Sequence, residues 1–276
     1  MINCGITGSS GVLGKKLIKI NNFKFIKFKG DISNKNDVDQ WIKKNKFDLI
    51  IHLAAIVPTN VVEKNYKLAN KVNYQGTVNL VKSIKKYNIN LKWFFFASTS
   101  HVYLSKNKKS FLKESSVKKP YSLYGKTKLK AENFIKKNFN GTYKSCIGRI
   151  FSFTDKNQSN NFLIPAIIKK IKNAKNKKLI FNNLHHYRDF ISTDDICSAI
   201  IHLWKKKAVG EYNIASGQKI YLETLVKLIC KKYNLKCVVT KDNSKKTYLL
   251  ANINKIRKLG WKPRKNINLI IKDYLN

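Results

Sequence analysis

An α/β fold built on a parallel sheet covered by helices on both faces is what this sequence of 276 residues predicts. Three observations carry the prediction. Short apolar runs alternate with longer amphipathic stretches over the first half of the chain, the order of a parallel sheet with crossover helices. Runs such as "FDLIIHLAAIV" and "LKWFFFAS" are apolar throughout rather than at every second residue, as strands buried on both faces are. The first run leads straight into "TGSSGVLG", a turn with three glycines that opens a helical stretch.

In order, "INCGIT" reads as a strand, "VLGKKLIKI" as a helix, "FKFIKF" as a strand, "NDVDQWIKKN" as a helix and "FDLIIHLA" as a strand. Residues 63–87 read as one long helix, "LKWFFFAS" as a strand, residues 122–139 as a helix and "YKSCIGRI" as a strand. Beyond Arg149 polar segments such as "TDKNQSNN" interrupt the rhythm, which predicts a smaller lobe. Residues 1–150 are then expected to form a Rossmann-type doubly wound sheet and residues 151–276 a smaller C-terminal lobe.

Gly8, Gly11 and Gly14 suit a dinucleotide: one for a tight turn, one for close backbone approach to a pyrophosphate, one for packing helix on strand. No acidic residue ends the second strand. Asp31 is the nearest carboxylate, and it reads equally well as a turn residue, while Lys15, Lys24 and Lys27 suit a 2′-phosphate, so NAD and NADP both stay open.

Composition narrows the alternatives. The 56 basic residues against 15 acidic leave a net charge of +41, which raises nucleic acid as a partner. Only Arg149, Arg188, Arg257 and Arg264 are arginines, and the 52 lysines are dispersed along the chain, so no arginine-and-aromatic face for specific nucleic-acid recognition is expected. Lysine, asparagine and isoleucine are enriched together, which reads as codon bias. No apolar run approaches the ~18 residues of a membrane span, and "MINCGITGSSG" lacks the features of a secretory signal, so a cytoplasmic protein is expected. Five cysteines without Cys-x-x-Cys spacing predict neither a disulfide framework nor a metal site.

In "YSLYGKTKLKAENFI", Lys128 lies one helical turn beyond Tyr124, so an ammonium can stand beside a phenol and lower its pKa. Thr99 closes the strand "WFFFA" and sits at the carboxyl end of the sheet, where open α/β folds bind ligands.

Taken together, "TGSSGVLG", "HLAA", "VNYQGTVNLV", "STSHVY", "YGKTK", "YRDFISTDDICSAI", "GEYNIASG" and "KIRKLGWKP" resemble, in order, the extended short-chain dehydrogenase/reductases of the NAD-dependent epimerase/dehydratase family. The resemblance covers nearly the whole chain. It implies Thr99, Tyr124 and Lys128 as the catalytic triad, with Ser98 in place of Thr99 if the alignment slips by one. For NAD or NADP it implies contacts from Gly8, Ser10, Gly11, Val12, Leu13, Gly14, Asp31, Ile32, Leu53, Ala54, Ala55 and Asn73, with Tyr124 and Lys128. For a nucleotide-diphosphate sugar it implies Ser100, His101, Ser152, Asn161 and Arg188, with Arg188 clamping the diphosphate. A homodimer, and hydride transfer as a 4-epimerase or 4-keto-sugar reductase, are implied as well.

Departures from the family pattern bear on the reaction. Ser100 and His101 stand where the 4,6-dehydratases carry an acidic pair, Ser152 where epimerases often have asparagine, and Asn252 where an aspartate is familiar. His101, His185 and His186 are candidate second acids. A 4,6-dehydratase is the alternative within the family; a cofactor-sensing regulator without turnover and a basic nucleic-acid-binding protein are the alternatives outside it.

Overall fold

The structure is a computed structural model that describes residues 1–20, 23–104, 110–175, 177–240 and 246–275. Its centre is a six-stranded sheet. Five strands come from the first half of the chain: β1 (Asn3–Thr7), β2 (Lys24–Lys27), β3 (Leu49–His52), β4 (Trp93–Thr99) and β5 (Ser145–Ile150). The sixth, Gly210–Ile214, pairs with β5. The spatial order is β2-β1-β3-β4-β5 followed by Gly210–Ile214, with every pair parallel. Chain growth therefore reverses between β1 and β3, and the crevice at that switch opens over the carboxyl ends of the strands.

Burial on both faces explains the uninterrupted apolar runs. Trp93 and Phe95 enter one core with Leu49, Ile51 and Cys146, whereas Phe94 and Phe96 enter a second core with Ile50 and Ile147 on the opposite face. Each fully buried Phe or Ile side chain contributes about 1.5–3 kcal/mol. Helices α1 (Val12–Ile18) and Thr193–Lys205 pack against one another, joined by an ion pair of 2.6 Å between Lys16 and Asp194. Helices α2 (Lys35–Lys44) and Gly76–Lys86 pack together likewise.

The helix expected over residues 63–87 is four pieces: Thr59–Lys64, Tyr66–Asn70, a π-turn at Lys71–Gln75, and Gly76–Lys86. Asn65 makes the first break. It leaves helical geometry (φ −140°, ψ 71°) and its side chain accepts the Leu68 N–H at 3.1 Å, the local competition with the helix ladder that asparagine favours. The π-turn contains buried Asn73, whose amide is drawn to the loop after β3.

Beyond β5 the elements are shorter. Lys178–Asn182 pairs with Lys236–Thr240, and Tyr187–Arg188 lies between Ile220–Tyr221 and Tyr248–Leu249. Helices Leu163–Lys172 and Leu222–Lys232 bring Ile164, Ile168, Leu225 and Ile229 into a third core. All five cysteines are free. Among the described residues no helix is long and apolar enough to cross a membrane.

Candidate active site

The glycine loop joins β1 to α1, and its three glycines answer to three different constraints. Gly8 has φ +70°, and a Cβ there would lie 2.7 Å from the Ala54 nitrogen. A Cβ on Gly14 would lie 2.3 Å from the Gly8 carbonyl oxygen, so this glycine lets α1 pack on the turn. At Gly11 a Cβ would meet only the Gly8 oxygen at 3.4 Å. The fold itself does not need glycine there. The space left beside Gly11 is what a phosphate approaching the backbone at the start of α1 requires.

Behind the loop, buried His52 links three elements. Its Nδ1 is 2.6 Å from Thr7 Oγ1 and its Nε2 2.9 Å from Thr77 Oγ1, while burial and then the charge of Lys128 push its pKa down to about 3. It is a neutral structural bridge at physiological pH. The Ala54 N–H donates to Thr7 Oγ1 at 3.2 Å, which holds Leu53, Ala54 and Ala55 against the turn. Asn73 stands one layer back. Its side chain accepts from Ile56 N at 2.7 Å and donates to Ile56 O at 3.0 Å and Thr127 Oγ1 at 3.2 Å, so it braces the loop and spends its amide on protein groups. Ser10, Val12 and Leu13 belong to the loop and the first turn of α1. Ile32 is buried against Gly76, and exposed Asp31 accepts Ser33 N and Oγ, each at 2.8 Å, the geometry of a turn.

Tyr124 and Lys128 leave the first turns of the helix Leu123–Phe139, and both are buried. Ser122 caps the helix by accepting the Gly125 N–H at 3.1 Å, and Glu63 accepts the Leu123 N–H at 2.9 Å. Gly125 sets the helix's approach: a Cβ there would lie 2.3 Å from the His101 carbonyl oxygen. Thr99 lowers the pKa of the Tyr124 phenol, so its hydroxyl faces it, whereas Ser98 turns the other way and donates to Glu132 at 2.5 Å. Lys128 Nζ lies 4.1 Å from the centre of the Phe96 ring.

Burial works against the expectation that Lys128 draws the phenol down. In the free protein burial raises the Tyr124 pKa, with the Thr99 hydrogen bond opposing it. Burial also pushes the Lys128 amine down, to about 7, against the pull of Glu132.

On the substrate side, His101 lies between Tyr121 and Tyr124, with ring centroids at 6.1 and 5.9 Å, and its Nδ1 is 3.4 Å from Ser122 Oγ. Burial and the charge of Arg188 push its pKa down to about 4, so it is neutral at physiological pH. Ser100 is buried beside it. Arg188 Nη1 donates to the Tyr187 carbonyl at 2.8 Å and to Thr247 Oγ1 at 2.9 Å, and among the described residues no hydrogen bond engages the other guanidinium nitrogens. Its strand is pinned by buried Asp189, which accepts from Ser216 N and Gly217 N at 2.8 Å. Tyr121, His101 and Arg188 interact electrostatically and share this end of the sheet with Tyr124. Ser152 lies on the short strand Ser152–Thr154, and Asn161 is exposed in the turn before Leu163–Lys172; no hydrogen bond among the described residues joins either to Arg188. His185 bonds Tyr221 Oη at 2.9 Å, and His186 lies 3.0 Å from Thr247 Oγ1, so neither is placed against Tyr124. Asn252 accepts Asn254 N at 3.0 Å in the turn that leads into Asn254–Lys258.

Two surface clefts of about 620 Å³ each, one lined by Ser216, Arg257 and Trp261 and the other by Glu114, Glu211 and Lys255, contain none of the predicted site residues. Sequence reasoning missed Ser122, Gly125, Glu132 and Arg149. Glu132 had a readable signal, its place four residues after Lys128.

A parallel sheet with a glycine turn at its switch point is the fold of the extended short-chain dehydrogenase/reductases. The family model for GDP-mannose 4,6 dehydratase matches residues 12–274, and the chain belongs to that family. It is 30% identical over 280 residues to the GDP-6-deoxy-D-talose 4-dehydrogenase of Aggregatibacter actinomycetemcomitans, covering 98% of this chain and 91% of the relative. Among solved structures, RMD from Pseudomonas aeruginosa complexed with NADPH superposes with a TM-score of 0.89 at 20% identity, over 100% of this chain and 98% of that one. The dTDP-glucose 4,6-dehydratase of Bacillus anthracis in complex with NAD superposes at 0.85 and 21%, over 99% and 95%. These likenesses show the fold.

Proposed function

We propose that the protein is an NAD- or NADP-dependent enzyme that oxidises or reduces C4 of a nucleotide-linked hexose by hydride transfer, without eliminating water. The observation that carries this reading is the pair after Thr99. Elimination needs a base for one carbon and an acid for the departing hydroxyl of the next, each within hydrogen-bond reach. Ser100 is a buried hydroxyl and His101 a neutral imidazole held low by burial and Arg188, so the acid is lacking. The 4-dehydrogenase relative supports the same carbon and reaction type.

The open face of Gly11 and the constrained Gly8 and Gly14 fit a dinucleotide pyrophosphate, with the N–H groups that open α1 as its donors. When bound, the cofactor supplies or accepts the hydride. The protein's own groups handle the proton. Tyr124 Oη takes it from the sugar hydroxyl as the phenolate, or returns it as the phenol, while Thr99 orients the ring. Lys128, one turn along the helix, holds the ribose beside it. Arg188 presents a planar fork to the diphosphate. We assign residues 151–276, apart from 188–214, to the substrate lobe, and take the enzyme to be a cytoplasmic homodimer; light scattering on the purified protein tests the dimer. Tyr124→Phe is expected to bind cofactor and nucleotide sugar normally and to lose most turnover; full turnover would remove Tyr124 from the mechanism.

A further inference from the structure

Beneath the reacting groups lies a buried ion pair that the proposed chemistry leaves unused. Glu132 and Arg149 are both fully buried. Arg149 Nε and Nη2 donate to the two carboxylate oxygens at 3.1 and 2.8 Å, a bidentate fork. The remaining nitrogen, Nη1, donates to Tyr103 Oη at 3.0 Å and to the Glu114 carbonyl at 2.8 Å. Tyr103 in turn donates to Asn213 at 2.6 Å. A pair this completely hydrogen-bonded is held in one geometry, and loss of either member leaves a buried charge alone.

Two further contacts connect the pair to the site. Ser98, the residue before Thr99, donates to Glu132 Oε1 at 2.5 Å. Glu132 also stands one helical turn beyond Lys128, so both leave the same helix face.

We propose that Glu132 is a positioning residue: held by Arg149, it ties the end of β4 that carries Thr99 to the helix that carries Tyr124 and Lys128, and it turns its charge toward the Lys128 amine. The assignment rests on the reading of Thr99, Tyr124 and Lys128 as the reacting groups. Lys128 is faced by Glu132 from its own helix, where Tyr124 stands one turn before it, by His52 from β3 and by the Phe96 ring from β4. His52 is neutral, and Glu132 is the carboxylate that holds the amine's protonation up against burial. Glu132 itself is faced by Arg149 from β5 and Ser98 from β4. Glu211, on the sixth strand, is occupied by Lys136 at 3.1 Å and reaches Arg149 only at 3.5 Å.

The test has one arm that needs no substrate. The difference in unfolding stability between Lys128 and Lys128→Met proteins, followed against pH, reports the midpoint at which Lys128 protonates in the fold. That midpoint, about 7, should fall by about one pH unit in Glu132→Gln. Because Glu132→Gln strands Arg149 and can compromise folding, Glu132→Gln/Arg149→Met is measured alongside it; this double variant should regain folding and keep the lowered midpoint. An unchanged midpoint in the double variant overturns the charge half of the proposal. The second arm uses turnover. Ser98→Ala, which keeps both charges, should lower kcat at least tenfold with cofactor affinity unchanged; wild-type kcat would overturn the anchoring of Thr99. Absence of nucleotide-sugar turnover by the wild-type protein would sink the proposed function instead, and the stability arm would still decide the role of Glu132's charge.

Discussion

Replacing Lys128 with methionine should make the folded protein more stable at neutral pH while removing its activity. Burial pushes the Lys128 amine from its ordinary 10.5 to about 7, and at 1.36 kcal/mol per pH unit that displacement corresponds to about 5 kcal/mol. The side chain is 1% exposed, so solvent screening takes little from this figure. Methionine keeps the unbranched stem and a favourable contact with the Phe96 ring. Glu132 is not orphaned, since Arg149 and Ser98 still hold its oxygens. The sign follows from the order of the two pKa values. Between pH 7 and 10.5 the unfolded chain binds the proton that the folded chain has released, so wild-type stability rises through that window. The methionine variant gains most at and below about pH 7, and its advantage fades between about pH 7 and 10.5 and is gone above that window. Allowing for packing losses, urea titrations near neutral pH should show a gain of roughly 3–5 kcal/mol, or a Tm higher by about 5–9 °C. A destabilised variant, or a difference that does not shrink on raising the pH, would refute the reasoning.

Other substitutions separate the roles of neighbouring residues. Gly11→Val should abolish cofactor binding in a fluorescence titration with little change in Tm, because its Cβ meets only one atom in the free fold. Gly14→Val should lower Tm instead, since the Gly8 oxygen lies 2.3 Å from the new Cβ. Arg188→Lys should weaken nucleotide-sugar binding tenfold or more by calorimetry and spare the cofactor, as a point charge replaces a planar fork. Gly125→Ala should cost turnover and at least 2 kcal/mol of stability in denaturant titrations, because the helix must retreat from the His101 carbonyl.

The sheet was legible because burial on both faces writes itself as unbroken apolar runs: Trp93 to Phe96 feed two cores by turns, and nothing polar interrupts them. The glycine turn was legible for the same local reason. The 63–87 segment was misread because its breaks come from one asparagine side chain and from the loop that Asn73 braces, a tertiary demand that periodicity does not record. Asn73 itself was assigned to the cofactor, and only the structure shows its amide spent on Ile56 and Thr127. The Tyr124–Lys128 spacing was readable, but the direction of the pKa values was not, because it depends on how completely the helix is buried. Arg149 lies 17 residues from Glu132, on a strand rather than on the helix, and no local pattern joins them.

The claim that the protein moves a hydride at one carbon and eliminates no water is tested most directly by product mass. Wild-type protein is incubated with GDP-, dTDP- and UDP-linked hexoses and their 4-keto forms, with NAD(H) and NADP(H), and the nucleotide sugars are weighed by mass spectrometry. The account predicts a product that differs from its substrate by two hydrogens, or an epimer of unchanged mass; a product lighter by one water would contradict it.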